Sequence, residues 1–324
     1  MRLLLRVFLF FFLLAGAPPS GIAAGVNMVV DPKTINNIKT HLSVLTEDIG
    51  ERSVTIPRNL IKTQMYIESF YRKIGVSVDS ETYPYRNRSV ANIVAEIAFN
   101  ENPKKRYLLG AHYDSVSGTV GADDNASAIA VQLEVARRLS RIKEPDAPDV
   151  AVQFVSFALE EPPVYGTRFM GSRVYARKAK KRLQRIDGMI CLEMVGYTCH
   201  EAGCQAYPFP LSLMNYPKEG NFIGVVGNFS SRRLTRKIWE SFQKNRSLPV
   251  IKLTVPFSSW LLPSVRLSDH ASFWDQGYRA VMITDTAFYR NPHYHLQSDR
   301  LDTLDLTFMA ELVDSLTDFF TSSQ

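Results

Sequence analysis

Residues 150–159 read VAVQFVSFAL, and the fold turns on this stretch. Only Gln153 and Ser156 interrupt its apolar side chains, which is too few for a strand with one wet face. It predicts a strand covered on both faces, as in parallel sheets sandwiched by helices. Outward from it, strand-like and helix-like segments alternate. Residues 107–112, 187–195, 222–226, 250–254 and 279–284 read as strands, and 125–139, 170–185, 231–243 and 304–321 as helices. In the first of these helices Ile129, Leu133 and Ala136 form an apolar stripe beside Glu134, Arg137 and Arg138. Nearer the start, helical spacing covers 34–48 and 57–74, with Pro57 in a first turn and Gly75 after the end. Extended segments follow at 76–83 and 90–99. This alternation predicts an α/β fold: an open, mostly parallel, doubly wound sheet with helices on both faces. No internal repeat or long linker is visible, so residues 25–324 are expected to form one domain.

Composition narrows the class further. The 324 residues are 45% hydrophobic and 22% charged, with 17 Gly and 17 Pro, which excludes disordered and collagen-like chains. Three cysteines are too few for a disulfide-built scaffold. A formal charge of +6 is mild for this length and gives no reason to expect a nucleic-acid partner. The run RKAKKRLQR at 177–185 reads first as cations at a helix C-terminus, where the dipole favours them.

Residues 1–24, MRLLLRVFLFFFLLAGAPPSGIAA, have the layout of a secretory signal peptide. Arg2 and Arg6 precede a short apolar core at Val7–Leu14, and small residues at Ala23 and Ala24 mark a cleavage site. The apolar run falls short of the roughly 18–20 residues that span a bilayer, so no stable membrane span is expected once it is removed. Losing Arg2 and Arg6 lowers the formal charge from +6 to +4. The mature protein is expected to be secreted or periplasmic. In an oxidising compartment Cys199 and Cys204 are close enough to bridge, whereas Cys191, inside an apolar strand, reads as a buried thiol.

Residues that can bind metal gather where apolar strands end. In LLGAHYDSVSGTVGADDNASAIA, His112 and Asp114 lie two positions apart and point the same way off an extended chain. Such a pair suits a metal-bound imidazole held by a carboxylate. Asp123 and Asp124 follow at a helix start, where capping is the alternative reading. In FVSFALEEPPVYG, Glu160 and Glu161 follow the apolar run. Adjacent carboxylates there are costly unless something positive faces them. Glu193 stands in MICLEMVGY without a charged neighbour, and a buried lone carboxylate needs a partner. His293 and His295 lie in FYRNPHYHLQSD, after the last strand. Ligands of open α/β sheets collect outside the carboxyl ends of the strands. Mixed imidazole and carboxylate donors suit zinc, and five candidates exceed one tetrahedral ion but fit two ions sharing a carboxylate.

In order and spacing, HYDS, GADDNAS, LEE, CLEMVG, SDHASFWDQG and HYHLQSD resemble the M28 metallopeptidases, over about residues 90 to 305. The resemblance implies a zinc-exopeptidase-like fold and an aminopeptidase that holds two Zn2+ and takes a peptide substrate. It implies that Asp124 bridges two sites, that His112 and Glu193 complete one, and that Glu161 and His295 complete the other. Glu160 would be the general base, Asp114 would orient His112, and Asp269 would lie near the substrate amine or behind the ligands. Asp123 and His293 are left as neighbours. Glu193 stands where many members have Asp, and PPVYGTRF enlarges the loop after Glu161, so Tyr165 and Trp260 are expected to reshape the substrate pocket. Within Pro256–Ser264, Leu261 and Leu262 either line that pocket or simply pack. Two other readings compete: a glutaminyl cyclase with one zinc, and an inactive binding protein on the same fold.

Overall fold

A computed structural model describes residues 30–143, 147–256 and 262–322; the expected signal segment, Trp260 and Leu261 lie outside them. One eight-stranded mixed sheet organises the chain: β1 (Val78–Tyr85), β2 (Arg88–Ala98), β3 (Lys105–His112), β4 (Val150–Phe157), β5 (Gly188–Glu193), β6 (Ile223–Asn228), β7 (Val250–Val255) and β8 (Ala280–Thr284). Across the sheet their order is β1-β2-β4-β3-β5-β8-β6-β7. The central strands β4, β3, β5 and β8 are parallel, as is β6 with β7. The contacts of β1 with β2, β2 with β4 and β6 with β8 are antiparallel. The doubly wound parallel centre is the one expected, with antiparallel strands added toward its margins.

Helices cover both faces because the central strands are apolar on both. Val152 and Phe154 of β4 join one core with Leu109 of β3 and Ile190 of β5. That face is covered by α1 (Pro32–Ser43), α2 (Pro57–Lys73), α3 (Ala128–Leu139), α5 (Arg232–Phe242) and α7 (Leu306–Thr321). The alternating side chains Val155 and Phe157, with Leu108 and Cys191, face α4 (Gly171–Lys181) and α6 (His270–Asp275). The period of two in each strand thus sorts one sequence into two hydrophobic layers.

Two departures from the expected elements bear on the site. The helix expected from 125 begins as an α-helix only at Ala128, since Asp124 (φ −104°, ψ 87°) and Asn125 (φ −134°, ψ 35°) are not helical. A short helix, α6, also forms within SDHASFWDQG, too brief to give a periodic signal. Among the described residues, no helix is long and apolar enough to cross a membrane. Cys199 and Cys204, whose pairing the sequence leaves open, are bridged, and Cys191 is a buried free thiol, as expected.

Candidate metal centre

Parallel strands deliver their carboxyl ends to one edge of the sheet. There β3 ends on His112, β4 leads through Leu159 to Glu160 and Glu161, and β5 ends on Glu193. The loop after β8 returns to the same edge and brings His295. Asp124 sits at the centre. Its Oδ1 lies 3.4 Å from His112 Nε2, and its Oδ2 lies 3.2 Å from His295 Nε2. Glu193 Oε2 approaches His112 Nε2 at 3.5 Å, and Glu161 Oε2 approaches His295 Nε2 at 3.4 Å. All five expected ligands therefore meet at one spot, in two groups joined through Asp124. His112, Asp124 and Glu161 offer ligand atoms within 4.8 Å of one another.

The donor chemistry fits cations. His112 Nε2, Asp124 Oδ1 and Glu161 Oε1 are buried and make no hydrogen bond. Buried lone pairs without donors are costly, and carboxylates crowded in a dry site need positive charge among them. Burial and its carboxylate neighbours Glu193 and Glu161 push Glu160 well above the usual range, against the pull of His112. Asp124 is held low despite its burial, because both imidazoles face it.

The surrounding hydrogen bonds position these groups. Asp114 was expected to orient His112, and its Oδ1 does lie 3.4 Å from His112 Nδ1. Its firmer bonds go elsewhere: Oδ1 accepts from the Glu160 amide and Oδ2 from the Glu161 amide, each at 3.0 Å. Asp269 is fully buried beside the cluster, and neither of its oxygens makes a hydrogen bond. Burial pushes it up to about 7. Glu193 Oε2 accepts from Ser268 at 2.5 Å.

Asp123 and His293 point away from the cluster. Asp123 accepts from the Gly196 amide and from Asn291 Nδ2, and is paired with the Asp285 carboxyl. His293 meets Ser298 at 3.0 Å.

Other positioning groups gave little or no sign in the sequence. Asn125 donates to Leu192 O and accepts from the Met194 amide, tying the end of β5 to the loop that carries Asp124. Arg52 is 1% exposed and donates to the carbonyls of Tyr113, Val120 and Gly121. Asp299 accepts from the Asp123 and Asp124 amides. Asn125 and Asp299 lay inside quoted motifs, Asp299 four residues after His295, with no role assigned to either; Arg52 precedes every motif. Three non-glycine residues at the site have left-handed backbones: Leu159 (φ 58°), Met194 (φ 46°) and His295 (φ 57°). Such conformations are uncommon outside glycine and persist only where surroundings enforce them.

Beside Glu193 opens a cavity of about 120 Å³, walled by Leu211, Phe222, Val226, Met282, Tyr289 and Tyr294 among others. Glu193 is the one carboxylate among its described lining residues, which include no lysine or arginine. Ser264 and Val265 also line it, whereas Tyr165 donates to Arg266 O at 3.0 Å and is not part of its wall.

The sequence profile described as "Peptidase family M28" matches residues 92–319, a span that takes in all five expected ligands with Glu160, Asp114 and Asp269, though not Arg52. The chain belongs to peptidase family M28. It is 36% identical over 280 residues to YfbL of Escherichia coli (strain K12), an uncharacterized protein, covering 84% of this chain and 83% of that one. A probable zinc metalloprotease of Pyrenophora tritici-repentis (strain Pt-1C-BFP) is 24% identical over 356 residues, covering 95% of this chain and 70% of that one. Among solved structures, the LapA aminopeptidase of Legionella pneumophila superposes with a TM-score of 0.69 at 18% identity, over 91% of this chain and 76% of that one. That likeness shows the fold, and the family makes the chain a peptidase.

Proposed function

We propose that the chain is an exported aminopeptidase that uses two zinc ions to remove N-terminal residues with large apolar side chains. The observation that carries this reading is the placement of Asp124, whose two oxygens each face a different imidazole. His112, Asp124 and Glu193 would hold one ion, and Asp124, Glu161 and His295 the other. When bound, zinc supplies Lewis acidity at the scissile carbonyl and lowers the pKa of water from about 15.7 toward about 7.

The chain's own residues do the remainder. Glu160 takes a proton from the attacking water as its oxygen bonds to the carbonyl carbon, then gives it to the departing amine nitrogen as the C–N bond breaks. Its burial favours holding that proton between the two events. Asp114 fixes the Glu160 backbone, so the carboxylate needs little reorganisation. Asp269, buried with both oxygens unbonded, would receive the substrate's ammonium. The apolar cavity beside Glu193 would take the first side chain and disfavour charged ones, whose desolvation nothing there offsets. Export rests on the layout of residues 1–24.

The deciding experiment is metal analysis of the purified chain beside assays on aminoacyl anilides and an N-acetylated peptide. Two zinc ions per chain, release of free amino acids and inertness of the blocked peptide are expected. One zinc with pyroglutamate formation would mark a glutaminyl cyclase, and cleavage of the blocked peptide would remove the restriction to N-termini.

A further inference from the structure

We infer that the edge of the sheet opposite the metal centre is a docking face for an anionic phospholipid surface. The last turns of α4 and the segment after it carry Arg177, Lys178, Lys180, Lys181, Arg182 and Arg185, and no acid occurs between Gly171 and Ile186. Except for half-buried Lys178, these side chains are exposed. A dipole argument explains cations in the last turn of a helix, but Arg182 and Arg185 lie beyond it.

The fold adds further cations from distant sequence. Lys104, Lys105 and Arg106 stand at the start of β3, and exposed Arg279 directly precedes β8. Contacts place them on the same edge: Arg185 donates to Lys104 O, the Asp187 amide donates to Arg106 O at 2.8 Å, and Lys180 Nζ lies 5.8 Å from the Tyr278 ring. Several acids there are already engaged. Glu81 faces Lys178 and Arg182, Glu96 faces Arg106, Asp149 faces Lys104, and Asp187 faces Arg185. Among the described residues, Lys105, Lys180, Lys181 and Arg279 have no carboxylate within ion-pair distance.

One observation favours lipid over another polyanion. Leu183 is 87% exposed with φ 53°, an apolar side chain held out between Arg182 and Arg185. Cations flanking a projecting apolar residue match the boundary between headgroups and acyl chains. Docked this way, the metal centre at the opposite edge faces away from the bilayer and stays open to soluble peptides.

The test is co-sedimentation of the full chain with phosphatidylcholine vesicles and with mixed phosphatidylglycerol–phosphatidylcholine vesicles, for three proteins: the wild type, a K180E/K181E/R182E variant and Leu183→Ser. Because residues 1–29 are common to all three, differences report on the face itself. Expected are stronger binding to the anionic vesicles, a loss of at least about tenfold in that binding for the triple variant, a smaller loss for Leu183→Ser, and unchanged peptidase activity in both. Equal binding to the two vesicle types, or unaltered binding by the triple variant, overturns the proposal. Tighter binding to a single-stranded RNA homopolymer than to the anionic vesicles overturns it in favour of a nucleic-acid face.

Discussion

Asp299 accepts hydrogen bonds from the backbone amides of Asp123 and Asp124, at 2.8 and 3.1 Å, and so fixes the loop on which the shared carboxylate sits. Arg52 grips the same loop from its other side through Val120 O and Gly121 O. Replacing Asp299 by Ala leaves two buried amides unpaired and frees Asp124 to drift between the imidazoles. We expect zinc affinity to fall about 10–100-fold, the usual cost of losing an outer partner of a metal ligand. Zinc titration against a competing chelator measures it, and an unchanged affinity would separate Asp299 from the metal centre.

Glu160 approaches His112 no nearer than 3.9 Å, farther than Asp124 or Glu193. A residue that moves protons without holding the metal can lose its charge and leave the ions in place. Glu160→Gln is therefore expected to retain its zinc while kcat drops about 10²–10⁴-fold. Metal content and turnover measured on the same sample decide it, and near-normal turnover would take the general-base role from this residue.

The apolar cavity makes a prediction about selectivity. Val226 lines it from β6, and a phenyl group there shortens the space available to a substrate side chain. For Val226→Phe we expect kcat/KM on leucyl and phenylalanyl anilides to fall about 10–100-fold relative to the alanyl substrate. A uniform loss across the panel would instead indicate damage to the fold, which thermal unfolding of the same variant would register.

Far from the metal centre, Glu134 is fully buried and is bound by Arg137, His41 and Asn37. Burial opposes its charge, yet these partners hold its pKa down to about 2 from 4.5. Because the folded value is the lower one, the stability it contributes is present above about pH 4.5 and is lost as pH falls toward 2. Over that window the contribution is on the order of 3 kcal/mol. Urea unfolding of the wild type and Glu134→Gln should show a gap at pH 7 that narrows steadily below pH 4.5. A gap that does not change with pH would contradict this.

Much of the centre was legible in the chain because strand ends announce themselves locally. His112 closes an apolar run, Glu160 and Glu161 follow another, and Glu193 interrupts a third, so short-range patterning located each one. The alternation of strand and helix likewise set the α/β class and its parallel centre. Three things came only with the folded chain. Asp299 reaches the Asp124 amide across 175 residues, and Arg52 reaches Gly121 across 69, with no periodicity to mark either contact. Asp114, which spacing assigned to its neighbour His112, bonds more closely to the amides of Glu160 and Glu161 across the adjoining strand. The cavity walls combine β6 and β8 with the loops after β5 and β8. Local pattern is set by which faces of an element must leave water, and a sequence records that directly. Which distant amide completes a hydrogen bond depends on how the strands are ordered and how the loops close, and those are fixed only when the whole chain packs.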